Sequence, residues 1–99
     1  MFIQHTSASL LIQENYDLSA RTDLEHWLNH LVPEGYPFYT HTLEGADNMP
    51  AHTKAALTAT SLPIAIINGE LALGQWQGVY LWEHPRASCN RSIIIHLSP

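Results

Sequence analysis

Apolar residues recur at helical spacing in one early segment of the chain. Leu24, Trp27, Leu28 and Leu31 fall on one side of a helical projection, while charged and polar residues fill the other side. An apolar stripe of this period predicts an amphipathic helix over about residues 18–31. A proline and a glycine soon after the stripe indicate where that helix ends.

A second helix is predicted from Pro50 onward, because proline suits the first turn, where its missing N–H needs no partner. His52 is then expected in that first turn. Small residues make this helix slim enough to pack closely; they are Ala51, Ala55, Ala56 and Ala59. Residues 33–49, between the two helices, carry prolines and glycines without a sustained period. They predict a long irregular connection, and such connections often carry function.

Short runs of aliphatic, aromatic and β-branched residues predict the strands. The runs are residues 2–5, 9–13, 61–67, 71–73, 75–83 and 91–97. Asn68-Gly69 is a strong hairpin signal, and a second hairpin is expected to join residues 75–83 to residues 91–97. Helices that interrupt mostly hairpin-linked strands predict one α+β domain over residues 1–99, with predominantly antiparallel sheets and two helices.

Composition and charge narrow the classes of function. The 99 residues are 45% hydrophobic and 13% charged, which is typical of one small globular domain. Four basic residues against nine acidic ones give neither a basic footprint for nucleic acid nor a polybasic membrane anchor. No apolar run reaches the roughly 18 residues that a membrane span needs. Cys89 is the only cysteine, so an intramolecular disulfide is excluded and a cytoplasmic protein is predicted.

Residues 39–54 contain the densest candidate chemistry of the chain. His41, Glu44, Asp47, Asn48 and His52 fall within one turn-to-helix segment, and imidazoles and carboxylates are groups that bind metals or move protons. The spacing does not match the His-Glu-x-x-His helix of metalloproteases. Solvated loop residues are the alternative, with Asp47 or Asn48 as a helix N-cap.

Two further clusters are candidates for ligand binding. His5, Thr6, Ser7 and Ser9 offer an imidazole and hydroxyl donors to an anion, or they fill a turn at the end of a strand. The segment from Gly74 to Gly78, followed by Glu83-His84, permits a close approach of backbone to a ligand or to another strand. Trp76 within it is equally a candidate core residue.

Taken together, these motifs closely resemble the YjbQ family, also called the secondary thiamine-phosphate synthase family. The resemblance covers almost the whole chain and is carried by His5-Thr6-Ser7-Ala8, Asn15, residues 41–52, Asn68-Gly69 and Gly74-Gln75-Trp76-Gln77-Gly78. It implies a sandwich-like α+β fold, assembly as a homotrimer, and thiamine phosphate formation as a side activity of some members. Members usually have threonine at the position of Gln75. They also begin with further strands, so this chain is expected to lack its N-terminal strands.

The resulting functional hypothesis is a small metal-dependent enzyme, or enzyme-like protein, for a phosphorylated or other anionic metabolite. A divalent metal, zinc or magnesium, is expected on His41, His52 and His84, and catalytic roles are expected for Asp47, His52 and Glu44. The expected substrate-binding residues are His5, Thr6, Ser7, Asn48, Gln77 and Glu83. The alternatives are a non-catalytic metabolite-binding or regulatory module, and a structural metal that pins the long loop.

Overall fold

The structure, a computed structural model, describes residues 1–87 and 90–98. Its elements in chain order are β1 (Phe2–Ile3), β2 (Ala8–Glu14), α1 (Leu18–Leu31), α2 (Asn48–Leu57), β3 (Ile66–Ile67), β4 (Glu70–Leu71), β5 (Gln77–Glu83) and β6 (Ile93–Ile94). Every strand pair among the described residues is antiparallel. The α+β class predicted from the sequence is therefore confirmed.

The longest ladder joins β2 to β5. Its register runs from Ala8 opposite Glu83 to Glu14 opposite Gln77. Leu10 of β2 is 1% exposed and packs with Ile3 and Ala8 in the hydrophobic core. Because the end of β5 lies beside the start of β2, this register brings Glu83 and His84 next to the segment that precedes Ala8.

The two-residue strands form two smaller pairs. β1 pairs with β6 in the register Phe2 to Ile94. The β3–β4 hairpin turns at Asn68 and Gly69, whose φ angles are +52° and +78°. Positive φ at both central residues is the requirement of a type I′ turn, so the hairpin predicted from Asn68-Gly69 is present.

The two helices begin close to their predicted starts. Ser19 N–H donates to the Asp17 side chain at 2.9 Å, which caps the first turn of α1. α2 packs towards β2 with a buried face made of Pro50, Ala51, Lys54 and Ala55. Small residues on that face permit the close approach, as the sequence indicated. No helix in the described part of the chain is long and apolar enough to cross a membrane.

Several predicted details are wrong. Residues 75–83 do not form a hairpin with residues 91–97: β5 pairs with β2, and β6 pairs with β1. The seven-residue partner β2 satisfies far more backbone groups of β5 than the two-residue β6 would. The strand predicted over residues 61–67 is reduced to Ile66–Ile67. His52 lies in the second turn of its helix, because α2 begins at Asn48.

Many apolar side chains remain at the surface around the short strands. Those exposed by 37% or more include Phe2, Ile66, Ile67, Leu71, Ile93, Ile94, Ile95 and Leu97. Exposed apolar side chains in such number are typical of a protein with an interaction face.

Candidate functional site

His41 and His52 form an imidazole pair at the start of α2. Their ring centroids are 5.5 Å apart with an interplanar angle of 57°. His52 Nδ1 lies 2.9 Å from the backbone oxygen of Thr6, and His41 Nε2 lies 2.8 Å from Asn48 Oδ1. The long loop, α2 and the segment before β2 therefore meet at this pair.

The hydrogen bonds of the pair determine which ring nitrogens are available. A carbonyl oxygen only accepts, so His52 Nδ1 carries the proton and Nε2 keeps its lone pair. With Asn48 Oδ1 as the acceptor, His41 Nε2 donates and Nδ1 keeps its lone pair. A backbone carbonyl or a side-chain oxygen behind an imidazole is the usual support of a metal-binding histidine.

Asp47 precedes α2 but does not cap it, since its side chain makes no cap hydrogen bond with the described residues of the helix. Instead Asp47 Oδ2 accepts from the backbone N–H of Arg86 at 2.8 Å. This hydrogen bond is the main cause that lowers the pKa of the Asp47 carboxyl, and the Arg86 and Lys54 charges act in the same direction. Arg86 also contacts Glu34, with 3.5 Å between Nη1 and Oε1.

A cleft of about 510 Å³ opens between the C-terminal end of α1, the start of α2 and the end of β5. It brings together three of the predicted site residues, Asp47, Glu83 and His84. Its other polar lining residues are Glu25, Asn29, Glu34, Lys54 and Arg86.

His84 is a deeply buried titratable group of the cleft, with 8% of the residue exposed. Its Nε2 lies 2.8 Å from Ser9 Oγ, and Ser9 is fully buried. Burial lowers the pKa of His84 to about 4; the positive charges of Lys54 and Arg91 add to this effect, and Glu83 opposes it.

His84 is expected to make stability depend on pH between about 4 and 6.5. In this window the unfolded chain binds a proton at residue 84 and the folded chain does not, so the free energy of unfolding falls as pH falls. Urea unfolding should show a loss on the order of 2 kcal/mol attributable to this group. His84→Gln should flatten the curve in this window, and His26→Gln, on an exposed position of α1, should not. Equal slopes for wild type and His84→Gln would contradict the assignment.

Glu83 forms a bidentate ion pair with Arg91. Arg91 Nε and Nη2 each lie 2.6 Å from one carboxylate oxygen of Glu83. The Arg91 side chain is 2% exposed and that of Glu83 is 26% exposed. These hydrogen bonds are the main cause that lowers the pKa of Glu83. The carboxylate thus remains ionised and fixed at the wall of the cleft.

The other predicted site residues lie outside the cleft lining. His5 Nδ1 accepts from the backbone N–H of Ser7 at 3.1 Å and lies 3.0 Å from Ser7 Oγ, so this segment closes on itself as a turn. Gln77 Oε1 accepts from Gly74 N–H at 2.7 Å and braces the start of β5. Glu44 is exposed in the long loop. Thr6 reaches the imidazole pair through its backbone oxygen.

The structure does not gather the three predicted metal ligands into one group. Across residues 1–87 and 90–98, no set of three or more His, Cys, Asp or Glu side chains is arranged to hold a metal ion. His41 and His52 are adjacent, whereas His84 Nε2 is occupied by Ser9. Cys89, the lone thiol, lies outside the described residues.

Sequence reasoning missed Lys54 as a member of the cleft. Lys54 Nζ donates to Asn29 Oδ1 at 2.5 Å, and the residue is 9% exposed. Burial is the main cause that lowers its pKa, while the charges of Glu34 and Asp47 oppose the effect. The sequence contained a signal for this position, because the helical period places Lys54 on the same face of α2 as Ala51 and Ala55.

Comparison with known proteins gives consistent matches. Residues 1–99 match the family described as "UPF0047 protein YjbQ-like". The UPF0047 protein sll1880 of Synechocystis sp. is 53% identical over 98 residues, covering 99% of this chain and 67% of that protein. The UPF0047 protein YjbQ of Escherichia coli O157:H7 is 41% identical over 97 residues, covering 98% of this chain and 70% of that protein.

A solved structure extends the similarity to the fold. The conserved hypothetical protein TT1486 from Thermus thermophilus superposes with a TM-score of 0.76 at 38% identity. That match covers 85% of this chain and 64% of the Thermus chain, so this chain spans about two thirds of the length of the relatives it matches.

Proposed function

We propose that this chain, which belongs to the YjbQ-like UPF0047 family, is a small cytoplasmic metal-dependent enzyme or enzyme-like protein for a phosphorylated or other anionic metabolite. One observation carries the proposal: the ring centroids of His41 and His52 lie 5.5 Å apart, and one nitrogen of each ring is hydrogen-bonded to a protein oxygen. Such a pair leaves two imidazole lone pairs for a divalent metal.

The donor set fits zinc better than magnesium, because imidazole is a ligand that zinc favours and magnesium prefers oxygen. Catalytic zinc sites use three protein ligands, so this pair is one short. The remaining positions would be filled by water, substrate or a residue of a neighbouring copy. A bound metal would supply stabilisation of the negative charge on a leaving group.

The chain's own residues would hold and position the reactants. Asn48 and the Thr6 carbonyl fix the two imidazole rings, and Asp47, close to the pair in sequence, would orient groups or move a proton together with Glu44. On the substrate side, His5, Ser7 and Glu83 are the proposed contacts. Gln77 lies at the opposite end of β5 from Glu83, so it would contact a substrate held there only from a neighbouring copy.

Thiamine phosphate formation is the specific side activity that we propose to test. In that reaction the C–O bond between an aminopyrimidine methylene and its diphosphate breaks, and diphosphate leaves with the bonding electrons. The ring nitrogen of a thiazole phosphate then forms a bond to the same carbon. The protein's task would be to hold the two precursors in line and exclude water.

We also propose that the protein assembles as a homotrimer. The exposed apolar side chains in and beside the short strands support assembly, since Ile67 of β3 is 60% exposed and Ile95, which follows β6, is 64% exposed. A neighbouring copy would cover part of this surface.

The competing proposal is a metabolite-binding module without turnover. It is favoured by the state of two carboxylates: Arg86 and Arg91 lower the pKa of Asp47 and Glu83, which makes both weak bases.

Metal-dependent turnover separates these proposals. The purified chain is incubated with the two precursors after treatment with a chelator, and then with zinc or magnesium restored. We expect product only with metal, together with metal retention in equilibrium dialysis that His41→Ala reduces. Binding of metal and precursors without product would support the binding module instead. Loss of the folded circular dichroism spectrum on chelation would indicate a structural metal.

A further inference from the structure

The two members of the imidazole pair are held by different kinds of backbone. His52 lies within α2, whereas His41 lies in the irregular connection between α1 and α2. The hydrogen bond between His41 Nε2 and Asn48 Oδ1 is at the exposed surface, where water competes for both groups. That contact alone contributes little to holding His41 beside His52.

A second hydrogen bond joins the same connection to α2. Tyr39 Oη lies 3.0 Å from Thr53 Oγ1. Thr53 Oγ1 donates its only hydrogen to the backbone oxygen of Met49 at 3.1 Å, so the Tyr39 hydroxyl is the donor to Thr53. In the described part of the chain, this bond and that of the His41 ring are the only side-chain hydrogen bonds between residues 33–46 and α2.

The surroundings of Tyr39 make its contact the firmer of the two. Tyr39 and Thr53 are both half-buried, so water competes less for their hydrogen bond. The Tyr39 ring also packs edge-to-face against Tyr36, with 5.0 Å between centroids and an interplanar angle of 64°. The backbone N–H of Tyr39 donates to the Tyr36 backbone oxygen at 3.2 Å. Ring, hydroxyl and backbone of Tyr39 are therefore all held in place.

Tyr39 and Thr53 are also close in sequence to the two imidazoles. Thr53 follows His52 directly, and Tyr39 precedes His41 by two residues. Two residues of extended chain span at most about 7 Å, so an anchored Tyr39 confines the backbone of His41 to the neighbourhood of α2. The separation of 5.5 Å between the ring centroids of the pair agrees with such a tether.

We propose that the hydrogen bond between Tyr39 and Thr53 is a positioning contact that holds His41 beside His52 and so raises the affinity of the pair for a divalent metal. Neither Tyr39 nor Thr53 is a ligand in this proposal. Both act through the imidazoles, as the hydrogen-bonded residues behind metal ligands generally do. The inference rests on the proposed function, because it concerns the same imidazole pair.

Zinc titration of matched variants tests the role of the two hydroxyl groups. Isothermal titration calorimetry with zinc chloride alone should show an affinity about 10-fold lower for Tyr39→Phe than for the wild-type chain. Thr53→Val should lose a similar factor, whereas Thr53→Ser, which keeps the hydroxyl, should retain the wild-type affinity. The double variant Tyr39→Phe with Thr53→Val should bind zinc about as tightly as either single variant, because both changes break one hydrogen bond.

Tyr36→Phe is the matched control for the loss of a tyrosine hydroxyl. Tyr36 packs against the Tyr39 ring, but its own hydroxyl makes no hydrogen bond with the described residues. This variant should keep the wild-type zinc affinity. Circular dichroism of each preparation establishes that the compared chains are folded, so a difference in affinity reports on the site.

A second measurement needs no metal. In the metal-free wild-type chain, nuclear Overhauser effects should connect the ring protons of His41 with those of His52, because the ring centroids are 5.5 Å apart. Tyr39→Phe should weaken these effects, and Tyr36→Phe should retain them. Absence of the effects in the wild type, equal effects in Tyr39→Phe, or zinc bound as tightly by Tyr39→Phe as by a zinc-binding wild type would each overturn the positioning role.

Failure of the proposed function would give a different result. A wild-type chain that binds no zinc, while its ring-to-ring effects still depend on the Tyr39 hydroxyl, would contradict the metal site and support the positioning of His41. A wild-type chain that binds zinc with an affinity that His41→Ala lowers and Tyr39→Phe does not would support the metal site and contradict the positioning role.

Discussion

His52→Ala is expected to lower the rate of thiamine phosphate formation at least about 100-fold while the chain stays folded, the scale on which positioned acid–base or ligand groups act. His52 is half-buried, and its neighbours Ala51, Ala55 and Ala56 are small, so truncation removes little packed volume. The Thr6 carbonyl that loses its partner is within reach of water, because the hydrogen bond is at the surface.

If His52 belongs to a functional site, its substitution should lower turnover by more than the fraction of unfolded protein can explain. Turnover is measured by product formation from the two precursors, and folding by urea unfolding of the same preparation. Asp47→Asn should behave similarly in turnover. His26→Ala, at an exposed position of α1, is the matched control and should keep both properties. Full turnover in the His52 and Asp47 variants would move the chemistry elsewhere and favour the binding module.

The parts of the fold that could be predicted are those determined by residues close together in sequence. α1 spans Leu18–Leu31 as expected, because its apolar period and its stop signals are complete within the segment. The Asn68-Gly69 turn was predictable for the same reason, since two residues determine its backbone. The pairing of β5 with β2 was not predictable, because partners such as Leu10 and Leu81 are distant in sequence and no local sequence signal identifies them as partners.

The same distinction between local and distant sequence signals applies to the candidate site. The imidazole pair was predictable as a cluster because His41 and His52 fall in one short segment. The cleft was not, because Asn29, Lys54 and Arg86 are single polar residues on three different segments that meet only after folding. Helical periodicity alone would have placed Lys54 on the buried face of α2, and a lysine there is rare enough to mark a site.

The second large effect concerns stability and the ion pair at the wall of the cleft. Arg91→Met is expected to lower the free energy of unfolding at pH 7 by about 3 kcal/mol, because it leaves the Glu83 carboxylate partly buried without its partner. Urea unfolding measures the loss. Arg21→Met is the matched control: its pair with Glu25 is exposed, with side chains 63% and 45% accessible, and should contribute less than about 1 kcal/mol.

The pH dependence of this loss identifies its cause. Arg91 lowers the pKa of Glu83, so the stability that the pair contributes is present above the ordinary carboxyl pKa of 4.5 and is lost as pH falls through the lower folded value. The difference between wild type and Arg91→Met should therefore shrink as the solution is acidified. At pH 7 the double variant Arg91→Met with Glu83→Gln should recover part of the loss, because the uncompensated charge is gone. A double variant as unstable as the sum of the two single variants would show that Arg91 acts through packing rather than through its charge.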